Sequence, residues 1–579
     1  MLLVLLPVRS DSQVAENDIS KCREATDPDE ILLLCSRVVE SPELSGDTRA
    51  GALIDRGTAY SKKGNFDKAI EDYNWALQLK PRDSNAAMAF QNRGVAYSQK
   101  KDYTRALLDF NEALRLATNS ASVFVDRGLV YNRMGDFDAA IRDFDEAIRL
   151  RPNYAPAFNN RGLAYTNKKD YDRAIKDYAQ VLRLDPNSAT AYNNRGTVYQ
   201  IKGDNERAIK DYDEATRLSP NGVESYFNRA VVYDKLGKYD AAIQDLNKVL
   251  LLEATHLDAL ALRGRLYARK GSFDRAAQDF TQVIGLDPSV DVGYLGRGAA
   301  YLGAGDYERA AKDLNEAIRI SPEGAMAYNA RGNAYLRKKE FDAAIADFDK
   351  AIQLDAGQSS AFVGRGRAYG SKQEYDRALQ DFNQAIRINP KDSDALRSRG
   401  IAFNLQKDYK RALADFENAV RLNPSAANHS SISRVLFYMG RFEQSAVAAD
   451  KALTSAPQDK YMLLWRYLAR AKATGAQAAR RELSDGARRL TDRSWPDPVI
   501  ALFLDQITED SFFLQADDSD PKRKAELICE AKFYVAESRL LSGKNQEAIT
   551  LLQSAEAECP IAFVEKRAAS VELERMAKP

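Results

Sequence analysis

One pattern recurs eleven times between Ala50 and Pro424, at a period of 34 residues, and it constrains the fold more than any other feature of the chain. The third copy shows it whole: Phe124, Arg127, Gly128, Tyr131, Gly135, Phe137, Ala140, Asp143, Phe144, Ala147 and Pro152. Copies begin near Ala50, Ala87, Ala121, Ala155, Ala189, Val223, Leu257, Asp291, Ala325, Ser359 and Ser393. The second starts three residues late, which predicts a longer loop around Arg82 to Asn85. Each copy predicts two antiparallel helices. Proline at position 32 in eight copies, lacking an amide hydrogen, stops the second helix. One such hairpin cannot bury its apolar face alone, so the stacked array is the folding unit. The expected fold class is an all-α solenoid.

Small residues mark where the two helices cross. Position 8 is Gly in ten copies, with Ala230 the exception, and position 20 is Ala in all eleven. A glycine inside a helix costs about 1 kcal/mol against alanine. Repeating that cost ten times implies close packing, with aromatics at positions 11, 17 and 24 filling the flanking volume. This period and this set of positions resemble the tetratricopeptide repeat. The resemblance implies a right-handed superhelix whose first helices line a concave surface. It also implies that the chain holds other proteins and is not itself an enzyme.

Two charges repeat as strictly as the small residues. Arg stands at position 7 in every copy and Asp at position 23, as in Arg127 and Asp143, Arg161 and Asp177, and Arg195 and Asp211. In a weaker twelfth unit from Ala426 these positions are Ile432 and Ala448, and in a thirteenth they are Val535 and Leu551. Both charges vanish together, so each Arg is expected to bond the Asp of its own repeat. Removing one member of a partly buried pair should cost about 3–5 kcal/mol, far more than replacing both. An arginine-lined groove for acidic ligands is the competing reading. The matching aspartates count against it.

In the resembled family, positions 2, 5, 6, 9, 12 and 13 tend to face the groove. Position 6 here reads Asp55, Asn92, Asp126, Asn160, Asn194 and Asn228, then Leu262, Gly296, Ala330, Gly364 and Ser398. Asn159, Asn193, Thr197 and Gln200 extend the polar half. An amide both donates and accepts, so such a ladder can grip peptide backbone without reading side chains. It is similar to the asparagine ladder in the repeat region of O-GlcNAc transferases. A solvated helix face is the alternative. Position 5 is basic only at Arg397, and position 9 only at Arg265 and Arg367 among the eleven copies, which departs from repeats that clamp a terminal carboxylate.

Outside the repeats, residues 1–17 read as a possible signal or tail and 18–49 as a helical cap. Residues 426–459 form the twelfth unit, 460–528 an irregular helical insertion around Trp495-Pro496-Asp497-Pro498, and 529–579 a degenerate repeat with a terminal helix. Met1 to Val8 is wholly apolar yet has no basic leader, and Ala15 is a weak cleavage site. The four cysteines form two local pairs, Cys22 with Cys35 and Cys529 with Cys559, each placed to staple one hairpin. That reads as disulfides in an oxidising compartment, periplasmic or secreted; four buried thiols in a cytoplasmic protein is the alternative. Asp18-Ile19-Ser20-Lys21 is no lipobox, so a lipid-anchored Cys22 is not expected.

Chemistry is sparse. His256 and His429 stand apart from any metal-ligand spacing, and no cofactor motif is present. The run Gly364-Arg365-Gly366-Arg367 lies inside a predicted helix and belongs to the repeat, not to a phosphate loop. A net charge of +1, from 84 basic and 83 acidic residues, offers no field for nucleic acid. No apolar run reaches the roughly 18 residues of a membrane span. The expected function is a non-catalytic scaffold for protein or peptide partners. The stretch from Trp495 to Pro560 weakly resembles envelope adaptors of peptidoglycan hydrolases. A targeting subunit for a separately encoded glycosyltransferase or cell-wall hydrolase, or a cytosolic assembly chaperone, are the alternatives. The sequence leaves the oligomeric state open.

Overall fold

A computed structural model describes residues 11–41, 44–492, 494–560 and 563–577. It contains thirty-three helices and, among the described residues, no strand. The apolar stretch Met1 to Val8 lies outside those residues. A helix at Asp11–Glu24 covers part of the segment that the sequence leaves as signal or tail.

Two compact units divide at Leu266 and Tyr267. In each, the repeats stack as antiparallel helix pairs, an all-α solenoid. The third repeat shows why. Its first helix, Ala121–Met134, ends on Gly135, whose φ of 84° turns the chain. Asp136 then caps the second helix, Phe137–Leu150, by accepting the Ala139 amide at 3.0 Å. Such a cap satisfies one of the free amides at a helix start and contributes about 1 kcal/mol. The same left-handed turn carries Lys101, Lys169, Lys339, Gln373 and Lys407 in other repeats.

The packing explains the position-8 glycines. A β-carbon on Gly128 would lie 2.7 Å from the Phe144 ring, and one on Gly400 would lie 2.6 Å from Phe416. The single exception, Ala230, belongs to a repeat whose position 24 is Leu246, although Leu314 at the same position in the eighth repeat still faces a glycine, Gly298. Ala140 and the other position-20 alanines are fully buried.

Two sequence expectations on helix length change. The first helices of repeats 1 and 2 begin at Gly46 and Asp83, one turn before Ala50 and Ala87. The extra residues at Arg82 to Asn85 therefore lengthen a helix and not a loop. Ser45 caps the earlier of these starts through the Thr48 amide. Likewise the first helix of the degenerate repeat expected over 529–579 does not begin at Cys529. Asp520 and Pro521 start that helix two turns earlier, at Pro521–Leu541.

At the start of the first unit, Asp27 caps and Pro28 opens the helix Pro28–Glu40. A disulfide joins Cys22 to Cys35 across this hairpin, with Cα atoms 5.0 Å apart. The second unit ends differently. Helices Lys460–Thr474, Ala476–Ala487, Asp497–Phe503, Glu509–Gln515, Pro521–Leu541, Asn545–Glu558 and Val564–Met576 wrap one apolar core. Trp465 sits at its centre, edge-on to Phe437 at 5.0 Å. Cys529 and Cys559 are joined there.

Candidate functional site

The first helices of repeats 1–6 present the polar face. Asn194 donates Nδ2 to Asn159 Oδ1 of the preceding repeat at 3.1 Å, and Asn228 does the same to Asn193 at 3.2 Å. Asn92 donates to the Thr58 hydroxyl at 3.2 Å, and Gln91 donates to Asp126 at 2.7 Å. Position 6 of one repeat thus meets position 5 or 9 of the repeat before it. Thr197 bonds the Asn193 carbonyl, and the Tyr212 hydroxyl donates to Gln200 Oε1 at 2.7 Å and lies 3.2 Å from the Thr197 hydroxyl. Burial pushes the Tyr212 phenol up to about 12, so it stays a donor at neutral pH. Asn160 makes no hydrogen bond among the described residues.

These pairings use part of each amide and aim the rest. An asparagine side chain carries two N–H donors and an oxygen with two lone pairs. Asn194 keeps one donor and its oxygen, Asn159 keeps both donors, and Asn160 keeps everything. All are half-buried, so ordering them on a ligand costs less than ordering free side chains. A hydroxyl- and amide-lined cleft of about 280 Å³ opens at one end, between Thr58, Ser61, Tyr73, Asn92 and Gln99. Two half-buried acids, Asp55 and Asp126, interrupt the face. Burial pushes the Asp126 carboxyl up, against the Gln91 bond, and pushes Asp55 up, against nearby Arg23.

The repeated charges stand behind this face. Arg127 donates Nε and Nη2 to the two oxygens of Asp143 at 2.8 and 2.7 Å. Arg161 grips Asp177, and Arg195 grips Asp211, with the same geometry. Bonding to Asp143 raises the Arg127 guanidinium further above its ordinary value. Burial, by contrast, pushes the Asp177 carboxyl up, with Arg161 opposing it. A feature that sequence reasoning missed is the third bond. Nη1 of Arg127 reaches Asn111, that of Arg331 reaches Asn315 and that of Arg229 reaches Asp213, each at position 25 of the previous repeat. Arg56 reaches Ser36 in the cap the same way. Apart from Arg195, whose neighbour offers only Ala179, these guanidinium groups tie their own helix pair together and dock that pair on its neighbour. The signal was present: position 25 is polar in ten repeats, Ala179 alone excepted.

The remaining candidates are inert in place. His256 stacks on Phe227, and its Nδ1 accepts the Ala259 amide at 3.3 Å. Gly364 lies within the helix Ser359–Ser371 against Phe348, where a β-carbon would clash at 2.4 Å. Among the described residues, one set of metal-capable atoms converges, Cys22, Cys35 and Asp55, and both sulfurs are held in the disulfide.

Models of the tetratricopeptide repeat match residues 50–83, 88–120, 125–189, 187–252, 227–291, 295–359 and 363–427. The chain is 27% identical over 156 residues to a protein of Haemophilus influenzae named lipoprotein NlpI homolog, covering 26% of this chain and 49% of that one. It thus spans about half the length of that relative. A tetratricopeptide repeat protein from Parabacteroides merdae superposes with a TM-score of 0.39 at 22% identity, over 43% of this chain and 99% of its own. YrrB, described as a repeat protein with an unusual peptide-binding site, superposes with a TM-score of 0.30 at 26% identity, over 32% and 97%.

Proposed function

This chain belongs to the tetratricopeptide repeat family, and from that premise we propose that it is a non-catalytic scaffold. It holds an extended segment of a protein partner along the first helices of repeats 2–6. The observation that carries this reading is the inter-repeat amide series: Asn194 on Asn159, Asn228 on Asn193, with Asn160 unbonded between them. Amides held at successive repeats offer donors and acceptors to a backbone that presents both at each residue. The two disulfides support a location in an oxidising compartment, and the match to a protein named a lipoprotein agrees with export.

The test is calorimetric titration with a panel of uncharged twelve-residue peptides. Binding should survive alanine exchange of peptide side chains and fall on N-methylation of the peptide backbone. Asn160→Ala with Asn194→Ala should abolish it, while Leu108→Ala, exposed on a second helix, should not. A panel that binds nowhere, or affinity that follows side chains and ignores backbone methylation, sinks the reading.

A further inference from the structure

Three helices at the start of the first unit bring two sulfurs and a carboxylate together. Cys22 lies on Asp11–Glu24, Cys35 on Pro28–Glu40 and Asp55 on Gly46–Lys62. Their donor atoms all lie within 4.8 Å of one another. Both cysteines are buried and Asp55 is half-buried.

The disulfide does not account for Asp55. Its carboxylate makes no hydrogen bond or ion pair among the described residues. Asp126, at the same position two repeats on, takes a bond from Gln91 at 2.7 Å. Arg23 offsets the burial of Asp55 through charge alone, with no bond between them. A disulfide is neutral and donates nothing, so it gives a carboxylate no reason to leave water.

The thiol form is different, and every chain is synthesised in that form. A divalent cation displaces one proton from each thiol, and binding is then linked to folding of the hairpin. Two thiolates and a carboxylate on one tetrahedral ion stand about 3.5–3.8 Å apart. Cα atoms of the two cysteines, 5.0 Å apart, allow that spacing by side-chain rotation. Three negative charges meet two on the ion and one on Arg23. Two soft sulfurs with one oxygen select the zinc class over magnesium or calcium, and water completes the fourth position.

The other cysteine pair lacks these features. Among the described residues no third donor converges on Cys529 and Cys559. Lys566 instead donates its ammonium to the Cys559 carbonyl at 3.0 Å. One chain therefore carries both a candidate site and its control.

We propose that the thiol form of the Cys22–Cys35 hairpin binds one divalent cation of the zinc class through both sulfurs and Asp55, and that forming the disulfide expels it. In that expulsion the two thiolates give two electrons to an oxidising disulfide. That oxidant takes up two protons and leaves as two thiols, while one S–S bond replaces two metal–sulfur bonds. Neither step depends on the amide series.

The test uses the full chain, kept reduced with a trialkylphosphine and titrated with Co²⁺ as the spectroscopic substitute for zinc. Wild type should take up one equivalent, with a near-ultraviolet thiolate-to-cobalt band and the visible bands of a tetrahedral ion, and Zn²⁺ should displace it. The chain oxidised with glutathione disulfide should show neither. Cys529→Ala with Cys559→Ala should keep the signal, and Cys22→Ala with Cys35→Ala should lose it. Removing both sulfurs also loosens the hairpin, so Asp55→Asn carries the decision. It keeps both thiols and changes a residue that bonds nothing, so its oxidised form should melt no lower than wild type. Losing a ligand costs at least what losing an outer-shell partner does, so its Co²⁺ affinity should fall on the order of tenfold. No band in the reduced wild type, an equal signal from Cys529 and Cys559 alone, or unchanged affinity in Asp55→Asn overturns the proposal.

Discussion

Buried charge is handled in two ways in this molecule. Through the repeats it is neutralised pair by pair: each Arg at position 7 is matched in number and geometry by an Asp at position 23. In the C-terminal core it is not. Glu530, Glu537, Glu565 and Glu572 are all buried there on two helices. Lys472 lies 2.9 Å from Glu537 and 3.2 Å from Glu572, while Arg575 also bonds Glu572. Glu530 takes the indole N–H of Trp495 at 2.8 Å and the Tyr461 hydroxyl at 3.0 Å. A repeat must satisfy its charges within one period, because the next copy brings the same problem. The unrepeated core is free to spread them over distant helices.

The sharpest break of this comparison is to unbalance one repeat. Asp143→Ala leaves Arg127 without its bidentate partner beside a core whose neighbours cannot move to help. It should cost about 3–4 kcal/mol, toward the lower part of the range for breaking a buried pair, because the guanidinium retains some water. Arg127→Met with Asp143→Leu should cost far less, and urea unfolding of the three chains ranks them. Equal losses from the single and double changes would mean that the pair is held by packing and not by charge.

The next effect belongs to the other region and runs with pH. Burial, together with Glu530, pushes Glu565 up to about 7, and burial pushes Glu537 to about 7 against Lys472. A carboxyl raised in the folded state contributes stability that is complete below its unfolded value near 4.3 and is lost as pH rises through about 7. The C-terminal core should therefore gain stability from pH 8 to pH 5, on the order of 2–3 kcal/mol for each of the two glutamates, and Glu565→Gln should remove its half. Buried Trp465 reports that core directly by fluorescence in a Trp75→Phe background. A flat profile between pH 5 and 8 would show that these glutamates titrate normally.

Packing gives a smaller contrast within the repeats. Gly128→Ala places a methyl 2.7 Å from the Phe144 ring and should cost about 2 kcal/mol by overpacking. Ala230→Gly faces Leu246 and should cost about half as much, through helix propensity. Thermal melting of the two variants tests the order.

Legibility in the sequence follows the same division. Arg and Asp at positions 7 and 23, Gly at 8 and Ala at 20 recur without drift, so periodicity alone exposes the hairpin and its crossing point. Position 25 escaped because it varies among Asn, Asp, Thr and Glu, with Ala179 once, and a polar residue on a helix reads as solvated until its partner in the next repeat is seen. The amide series was visible as composition, but which amides bond each other was not; that depends on the offset between stacked helices. Glu530 and Glu565 gave no signal, because they look like ordinary surface residues on helical segments.

The smallest prediction refines the repeat rule itself. Arg195 bonds Asp211 as its equivalents do, yet its Nη1 has no side chain to reach, because position 25 before it is Ala179. Ala179→Asn supplies the acceptor that Asn111 gives Arg127 and Asn315 gives Arg331. A hydrogen bond to a charged, partly exposed donor contributes about 1 kcal/mol, and exchanging Ala for Asn within a helix takes back roughly half of that. The net gain should be about 0.5 kcal/mol, read as a rise in the urea midpoint with an unchanged slope. Ala179→Val, which carries no acceptor, should show the propensity loss alone. If Asn and Val behave alike, position 25 is a solvated face, and the guanidinium binds within its own repeat only. If Asn alone stabilises, the third bond is part of what holds one repeat to the next.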